Sequence, residues 1–510
     1  MKVWLIQPPK YFWPYVNADD NYLVPQALPC LAAVLRRAGH EARIIDCAPR
    51  RTGWKTLAAE LRRGEPDAVG VGESHALYSG ESLRALRLVK ETLPRAVTIA
   101  GGVHFSNLVD ETLASGCVDF LVRMEGEATL VELLSAIEAG AESFEDVRGI
   151  AYNRNGKFVR TPPRPLIEDL DSLPLPAYDL LPMDRYGASR FLFSPGGTTI
   201  HHSRGCVSNC SFCCWWIQMA DVEVRGGEWR YVPRWRTKSV DRVIEEIRLL
   251  SSRYRKRCLV FVDEYWNRDA AWNDEFAEKL IRSGLKTLWF AFMRVDGILR
   301  DEKLGIFEKL VRSGLCHVSI GVERAEDEEL KKMNKPFYRE SATIECFRLL
   351  SDRYPGVFRQ GTFIVGIRDE TKESMFRQFR FAKALDLDYP GFHPLTPVPG
   401  TPLWREAKEK GWIEVEDFSR YDWLTPVMSS RELSRRRIEE LTIEMSRRYV
   451  TARWFLRGLF SRSAYKRNMY IWWLIVTIRM VFASLRRKIY PLSRGGRVLT
   501  ELVKPPWYDD

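Results

Sequence analysis

The chain has 510 residues, 45% hydrophobic and 28% charged, which is enough for two or three domains with full-sized cores. Ten cysteines in 510 residues, six of them outside the one cysteine cluster, do not form a disulfide framework. Residues 1–9 lack a signal-peptide pattern, so a cytoplasmic protein is expected. The net charge of +11 is uneven, because residues 445–500 carry 13 Lys and Arg and no Asp or Glu, which argues against a general nucleic-acid-binding surface.

Residues 1–150 alternate apolar, strand-like runs with amphipathic helical segments. Strands are predicted at 3–6, 42–46, 68–71, 97–100 and 120–122. Helices are predicted at 28–38, 52–63, 80–93, 107–115 and 128–139. These βα units predict an α/β fold with a doubly wound, Rossmann-like parallel sheet. Ligands of such sheets bind at the carboxyl ends of the strands.

Residues 151–195 are predicted to be a linker, because the segment 169–178 is rich in proline. Residues 196–425 return to alternating strands and helices. Their strands are predicted at 198–200, 259–262, 287–291, 317–320, 360–365 and 391–394. Six βα units are too few to close an eight-stranded barrel.

A cluster of thiols follows the strand at 198–200. Cys206, Cys210 and Cys213 have a C-x3-C-x2-C spacing, and Cys214 is the adjacent residue. Three thiolates on one loop can bind a metal centre and leave one coordination position open. A disulfide is disfavoured in a reducing compartment, and structural zinc usually needs a fourth ligand, which the chain does not offer at zinc-finger spacing.

The cysteine spacing resembles that of the radical S-adenosylmethionine superfamily. The resemblance implies that Cys206, Cys210 and Cys213 hold a 4Fe–4S cluster, whose open iron binds S-adenosylmethionine. It also implies that residues 196–425 form a partial (β/α)6 TIM-type barrel, with the cysteine loop at the carboxyl ends of the strands.

Other strand-end residues match the same superfamily by position. The resemblance implies that Asp263 and Glu264 lie near the methionine amine, although an exposed acidic loop is the alternative. It places Glu323 at the ribose hydroxyls. The segment from Gly361 to Gly366 would lie beside adenine, and Pro399 in the turn after the sixth strand.

Residues 1–150 resemble the cobalamin-binding domain that precedes many such barrels. Ser74, Gly101 and Gly102 have about the separation of that domain's serine and double glycine. The D-x-H-x-x-G motif that supplies a lower cobalt ligand is absent, and His40 and His75 do not replace it. The resemblance favours cobalamin binding, whereas the glycines alone fit ordinary strand–helix packing.

Residues 426–510 are predicted to be a basic helical extension. Its apolar segment 468–478 is interrupted by Arg479 and is too short to span a bilayer. Two interpretations remain open: a helix lying on the anionic inner membrane face, or one that caps the barrel through its tryptophans. Residues 504–510 are expected to be a loose tail.

Four segments of the second half carry a finer resemblance: His317–Glu323, Phe363–Ile367, Ser419–Tyr421 and Thr425–Met428. They resemble the anaerobic magnesium-protoporphyrin IX monomethyl ester cyclase branch of the superfamily. This resemblance implies radical functionalisation of an unactivated carbon, by oxidative cyclisation or methylation of a tetrapyrrole-like or lipid-like small molecule. An electron donor such as ferredoxin or flavodoxin would be needed. The alternatives are a cobalamin-free enzyme limited to hydrogen abstraction, a basic RNA-modifying iron–sulfur protein, and a membrane-associated redox module without radical chemistry.

Overall fold

The computed structural model describes residues 1–12, 23–73, 75–187, 196–225, 228–335, 338–489 and 502–510. Ser74 and the end of the predicted linker, residues 188–195, lie outside the described residues.

The N-terminal half is built on a seven-stranded sheet with the order β2-β1-β3-β4-β5-β6-β7. Its strands are β1 Lys2–Gln7, β2 Glu41–Asp46, β3 Ala68–Gly72, β4 Val97–Gly101, β5 Phe120–Val122, β6 Ile150–Arg154 and β7 Lys157–Arg160. The first five are parallel, as predicted, and β1 and β3 flank the topological switch point. The antiparallel β6 and β7 extend this sheet past the predicted boundary at residue 150.

Helices cover the N-terminal sheet at the predicted places. They are α1 Ala27–Arg37, α2 Cys47–Arg50, α3 Trp54–Gly64, α4 Ser79–Thr92, α5 Val103–Asn107, α6 Val109–Ala114 and α7 Glu127–Glu138. The single helix predicted at 107–115 is instead the pair α5 and α6. Leu108, between them, has φ −126° and ψ 58°, which interrupts the helical backbone.

The second half contains an open, parallel six-stranded sheet with the order β17-β16-β15-β14-β13-β8, as predicted. The strands of this half are β8 Gly197–Ile200, β9 Ser203–Gly205, β10 Asp221–Arg225, β11 Glu228–Val232, β12 Trp235–Thr237, β13 Cys258–Phe261, β14 Leu288–Met293, β15 Leu315–Glu323, β16 Phe358–Val365 and β17 Tyr389–Pro394. The antiparallel pairs β9–β12 and β10–β11 were not predicted.

The helices of the second half lie between its strands. They are α8 Trp215–Gln218, α9 Val240–Arg253, α10 Ala270–Arg282, α11 Val295–Lys303, α12 Ile306–Arg312, α13 Asp327–Lys332, α14 Glu340–Arg353, α15 Lys372–Ala384 and α16 Pro402–Glu409. Because the strands are parallel, their carboxyl ends share one edge, which carries the cysteine loop.

The C-terminal helices follow the half barrel, and the last two of them close the end opposite its mouth. They are α17 Arg435–Tyr449, α18 Ala452–Leu459 and α19 Ala464–Ile489. Tyr470 donates to Asp388 just before β17 (2.8 Å), and the Trp473 ring stacks on Tyr389 at 4.5 Å. The first part of α19 therefore caps the barrel, which was one of the two interpretations. No helix within the described ranges is long and apolar enough to cross a membrane.

Residues 502–510 are docked on the N-terminal domain, so the expectation of a loose tail was wrong. Val503 exchanges two backbone hydrogen bonds with Phe12 (3.0 and 3.1 Å). Trp54 and Thr56, in the first turn of α3, donate to the carbonyls of Tyr508 and Asp510. The tail can approach because a side chain at Gly53 would lie 2.1 Å from the Trp507 oxygen. The docked tail therefore caps α3.

Candidate active site at the domain junction

The cysteine loop leaves the barrel through a glycine. Gly205 ends β9 with φ +86°, and a Cβ there would lie 2.1 Å from the carbonyl oxygen of Arg234. No residue with a side chain fits this exit without displacing backbone. The loop that follows carries Cys206, Cys210 and Cys213, all three of them free thiols.

Hydrogen bonds from two other strand-end loops hold the cysteine loop. Ser211 donates its N–H to the carbonyl of Met333 (3.0 Å), and Leu403 donates to the carbonyl of Ser211 (3.0 Å). The side chain of Asn334 donates to the carbonyl of Asn209 (3.0 Å). The loops after β15 and β17 thus fix the cysteine loop at the mouth of the half barrel.

The three thiols fit a cluster better than a single ion. Among the described residues, no three His, Cys, Asp or Glu side chains are arranged to hold one metal ion. A 4Fe–4S cluster takes each thiolate on a different iron, so its ligands need not meet at a point. Burial raises the pKa of Cys210 and Cys213, so binding of iron must displace their protons. Cys214 is buried separately, against Val103 and Val398.

Asp263 supports the turn that leads into the cysteine loop. Its Oδ1 accepts from the N–H of His202 (3.0 Å) and from the N–H of Ser203 (2.6 Å). Burial favours a higher pKa for Asp263, but His202 and the Ser203 hydrogen bonds offset it and lower the pKa. This observed role uses one oxygen of Asp263, and contact with the methionine amine stays a prediction.

Glu264 is the more accessible of the two predicted acids. It is half-buried, and its Oε2 accepts from the N–H of Gly205 at 3.1 Å. Burial, and then the negative charge of Asp263, raise the pKa of Glu264 to about 7. A cationic amine beside Glu264 would favour its carboxylate form. Glu264 therefore fits the predicted amine contact better than Asp263 does.

Glu323 stands on a strained turn at the end of β15. Its φ is +60°, and the pairing of β15 with β16 shifts register between Gly321 and Glu323. Glu323 Oε1 lies 2.8 Å from Lys335 Nζ, which also donates to the Gly321 carbonyl (2.8 Å). Although burial opposes it, the negative charge of Glu323 raises the pKa of Lys335. The mouth of the barrel thus presents a fixed, charged pair.

Arg324 was not predicted, yet it locks the same strand end from behind. It is 1% exposed and is bidentate to both Glu329 and Glu370, and it also donates to the Ile364 carbonyl (2.9 Å). Such paired, fully bonded guanidinium groups are rigid supports. Arg324 therefore holds the ends of β15 and β16 behind Glu323.

The predicted glycines near adenine pack closely against side chains outside the sheet. A Cβ on Gly361 would lie 2.8 Å from Leu387, and one on Gly366 would lie 2.9 Å from Ile438. Packing is thus the observed reason for glycine at both positions, and contact with S-adenosylmethionine stays a prediction. Pro399 is buried in its predicted turn, beside Gly400.

The double glycine lies at the end of β4, as predicted. Gly102 has φ +93°, and a Cβ there would lie 2.6 Å from the carbonyl oxygen of Glu73. The Glu73 N–H donates to the Gly101 carbonyl (2.9 Å), and the His104 N–H donates to the Glu73 carbonyl (3.1 Å). The loops after β3 and β4 are therefore in direct contact, beside the topological switch point.

The two domains meet through buried charges on one side, called here the charged flank. Arg204, in β9, donates to Glu125 (2.7 Å) in the loop after β5 and to Glu127 (2.6 Å), the first residue of α7. Arg236, in β12, donates to both oxygens of Glu125 (3.0 Å each). All four residues are buried.

On the other side, called here the apolar flank, the junction is hydrophobic. Val103, Cys214 and Val398 form one buried cluster, with Trp215 and Trp423 packed against it. A Cβ on Gly400 would lie 2.2 Å from the Asn107 side chain, so the turn after β17 presses on α5. The packing of Val103 on Cys214 joins the double-glycine helix α5 to the end of the cysteine loop.

A buried polar atom lies unused beside the apolar flank. His104 is 6% exposed, and its Nδ1 has no hydrogen-bond partner in the described part of the chain. Burial lowers the pKa of His104 to about 4, so the ring is neutral at physiological pH. Orphaned buried atoms of this kind are uncommon unless a ligand or water completes them. Together with the close packing at Gly102, His104 fits a cofactor seated between the domains.

The structure thus sets a doubly wound domain against an open half barrel, with three thiols at their junction. A B12 binding domain model matches residues 14–134, and a Radical SAM superfamily model matches residues 200–382. An uncharacterized methyltransferase of Pyrococcus horikoshii is 31% identical over 420 residues, which cover 82% of this chain and 85% of the relative. The chain therefore belongs to the cobalamin-binding radical S-adenosylmethionine enzymes.

Further comparisons agree with this family. The anaerobic magnesium-protoporphyrin IX monomethyl ester cyclase of Rubrivivax gelatinosus is 29% identical over 486 residues, which cover 92% of this chain and 81% of the cyclase. The fold matches that of TsrM, a radical S-adenosylmethionine methyltransferase from Kitasatospora setae, with a TM-score of 0.69 at 17% identity, covering 95% of this chain and all of TsrM. The cofactors of this enzyme are a 4Fe–4S cluster, S-adenosylmethionine and cobalamin.

Proposed function

We propose that the protein transfers a methyl group to an unactivated carbon of a tetrapyrrole-like or lipid-like small molecule. The observation that carries this proposal is the junction itself, where the cysteine loop and the double-glycine helix α5 meet across the apolar flank. A substrate bound there would touch both cofactor sites. When bound, the cluster and S-adenosylmethionine supply a carbon-centred radical, and cobalamin supplies a transferable methyl group.

The residues of the chain divide the work by position. In this proposal Cys206, Cys210 and Cys213 hold the cluster, and Glu264 pairs with the methionine amine. Glu323, fixed by Lys335, accepts from the ribose hydroxyls. Each assignment is supported by the side chain's position at the carboxyl edge of the barrel, where parallel-barrel enzymes carry their chemistry.

The apolar flank would exclude water from the reacting carbon. Trp215 and Trp423 pack beside Val103 and Val398, and they give a flat, apolar surface at the junction. A dry site protects a reactive radical from side reactions with water. The aromatic surface also suits a large planar or hydrocarbon substrate.

Anaerobic turnover with S-adenosylmethionine labelled in its methyl group tests the proposal. Methyl transfer should yield S-adenosylhomocysteine, 5′-deoxyadenosine and a labelled product, with magnesium-protoporphyrin IX monomethyl ester as the first substrate probe. Cys206→Ala should lose the cluster absorbance and 5′-deoxyadenosine, whereas Cys214→Ala should keep both. Absence of S-adenosylhomocysteine from a cobalamin-loaded enzyme would refute methyl transfer.

Oxidative ring closure is the second candidate, and it is favoured by the cyclase relative that covers 92% of the chain. It predicts an unlabelled cyclised product and 5′-deoxyadenosine, without S-adenosylhomocysteine. In either case the enzyme would accept single electrons from a carrier such as ferredoxin or flavodoxin. Loss of turnover when that carrier replaces a chemical reductant would count against this partner.

We also propose that the C-terminal helices touch an anionic membrane surface that supplies an apolar substrate. Exposed apolar side chains project from α18 and α19, namely Leu456, Phe460, Ile478, Val481 and Phe482. Residues 445–500 add 13 Lys and Arg without an acidic residue. Flotation with phosphatidylglycerol vesicles should retain the protein and should weaken in Phe460→Ser. Equal flotation with phosphatidylcholine would refute the electrostatic part.

A further inference from the structure

The cysteine loop is hydrogen-bonded to the N-terminal domain at both of its ends. Arg204 lies two residues before Cys206 and bonds Glu125 and Glu127. Gln218, in the helix α8 that follows Cys214, donates to the carbonyl of Met124 at 2.9 Å. Both ends of the loop are therefore attached to one segment of the cobalamin-binding domain, residues 124–127.

The second arginine makes the attachment rigid. Arg236 is the direct cross-strand neighbour of Arg204 in the β9–β12 pair. Its Nη1 donates to both oxygens of Glu125 and to the Ile167 carbonyl, so Glu125 binds two neighbouring strands at once. The Ile167 N–H in turn donates to Glu125 Oε2 (2.8 Å). The two guanidinium groups of the charged flank are thus matched in charge by its two carboxylates.

Burial makes these contacts directional. The side chains of Arg204, Arg236, Glu125 and Glu127 are 3% to 9% exposed. Although burial opposes ionisation, the pKa of Glu125 is lowered and that of Arg204 is raised by their mutual attraction, so both stay charged. A buried ion pair tolerates little sliding, because a small shift leaves a charge unpaired and out of water.

We infer that Arg204, Arg236, Glu125 and Glu127 are positioning residues, which set the cysteine loop against the cobalamin-binding domain and thereby fix the distance between cluster and cobalt. This inference rests on the proposed function, in which one substrate carbon must be reached from both cofactors. A displacement of about 1 Å can cost about 100-fold in rate when reacting groups must align. Their loss should therefore uncouple radical formation from methyl transfer, while the binding of each cofactor is kept.

Glu127→Gln tests the inference, because it removes one charge and keeps the shape of the side chain. Glu145→Gln is the matched control, since Glu145 belongs to the same domain but is 61% exposed in its pair with Arg154. Both proteins are loaded with cluster and cobalamin, and pulsed electron paramagnetic resonance measures the distance between the reduced cluster and cobalt(II). The ratio of 5′-deoxyadenosine to S-adenosylhomocysteine is measured in parallel.

Glu127→Gln should retain both cofactors, broaden the distance distribution and raise the product ratio about tenfold, whereas the control matches the parent. An unchanged distribution and ratio would overturn the inference. If Glu127→Gln does not fold, Arg204→Lys tests the same inference with the same readouts. It keeps the charge but offers one nitrogen where Arg204 uses two to bridge Glu125 and Glu127. Loss of the fold in both variants would also overturn it, since the residues would then serve folding. A parent that makes no S-adenosylhomocysteine would instead refute the proposed function.

Discussion

The two flanks of the domain junction both join the domains, but they do so by different kinds of interaction. The charged flank joins the domains by four buried ionic groups, and the apolar flank joins them by Val103, Cys214 and Val398. Ionic contacts depend on direction, whereas apolar contacts depend mainly on buried area and can repack. In the inference above the charged flank sets the domain positions, while the apolar flank contributes buried area.

Arg204→Met should show the largest effect, because it leaves Glu127 buried without its partner. We expect a loss of about 3 to 5 kcal/mol in the free energy of unfolding, measured by chemical denaturation. Arg154→Met is the control, because Arg154 is 51% exposed in its pair with Glu145 and should change stability by less than about 1 kcal/mol. Similar losses in the two variants would contradict the importance of burial.

Gly102→Ala should disturb the apolar flank through the loop that begins α5. The added Cβ would lie 2.6 Å from the Glu73 carbonyl at a φ of +93°, so we expect a loss of about 3 kcal/mol. Gly140→Ala separates crowding from backbone strain, because Gly140 has φ +68° and no atom within 4 Å of its would-be Cβ. Equal losses of stability in the two variants would show that backbone strain at positive φ, and not crowding of the added Cβ, is the cause.

Asp46→Asn tests a charged contact between the N-terminal domain and the linker. Tyr186 donates to Asp46 (2.7 Å), and burial raises the pKa of Asp46 from 3.8 to about 6. The folded state thus holds the proton more tightly, so the parent should lose stability as the pH rises from about 4 to 6. The variant lacks this titration, and it should gain about 2 kcal/mol on the parent between pH 4 and 7 in thermal or chemical unfolding. A difference that is constant with pH would contradict the raised pKa.

Val398→Ala should have the smallest effect, because the apolar flank can close around a missing methyl pair. We expect a loss of about 1 kcal/mol in the free energy of unfolding. Val224→Ala is the near-neutral control, because the Val224 side chain is 59% exposed. Measurement by the same denaturation curves makes the two flanks comparable. A loss larger than that of Arg204→Met would reverse the comparison.

Much of the fold could be predicted because buried parallel strands read as short apolar runs. The predicted strands of both parallel sheets are present, and the six-stranded count of the half barrel is confirmed. The antiparallel pairs were missed because they are short and partly polar. The β6–β7 hairpin did carry a signal, since its turn is Asn155–Gly156 with φ of 53° and 83°.

In the candidate site, too, local motifs could be predicted from the sequence, whereas contacts between distant residues could not. The cysteine motif is local, so its spacing alone indicates the chemistry. Arg204 meets Glu125 across 79 residues, and Arg324 meets Glu370 across 46, and no spacing rule predicts such pairs. Contact of Asp263 and Gly361 with S-adenosylmethionine stays a prediction. The structure adds a supporting contact for each, which only the folded neighbours could show.

The docked tail has a consequence for the order in which the protein is made. Residues 502–510 leave the ribosome long after α3, yet they supply the carbonyl groups that cap it and the Tyr508 ring that packs on Trp54. Throughout synthesis the first domain therefore carries an open helix end and an uncovered tryptophan. A chain that stops before residue 502 lacks this cap on α3. Its N-terminal domain, which is synthesised first, is then incompletely packed and accessible to chaperones and proteases.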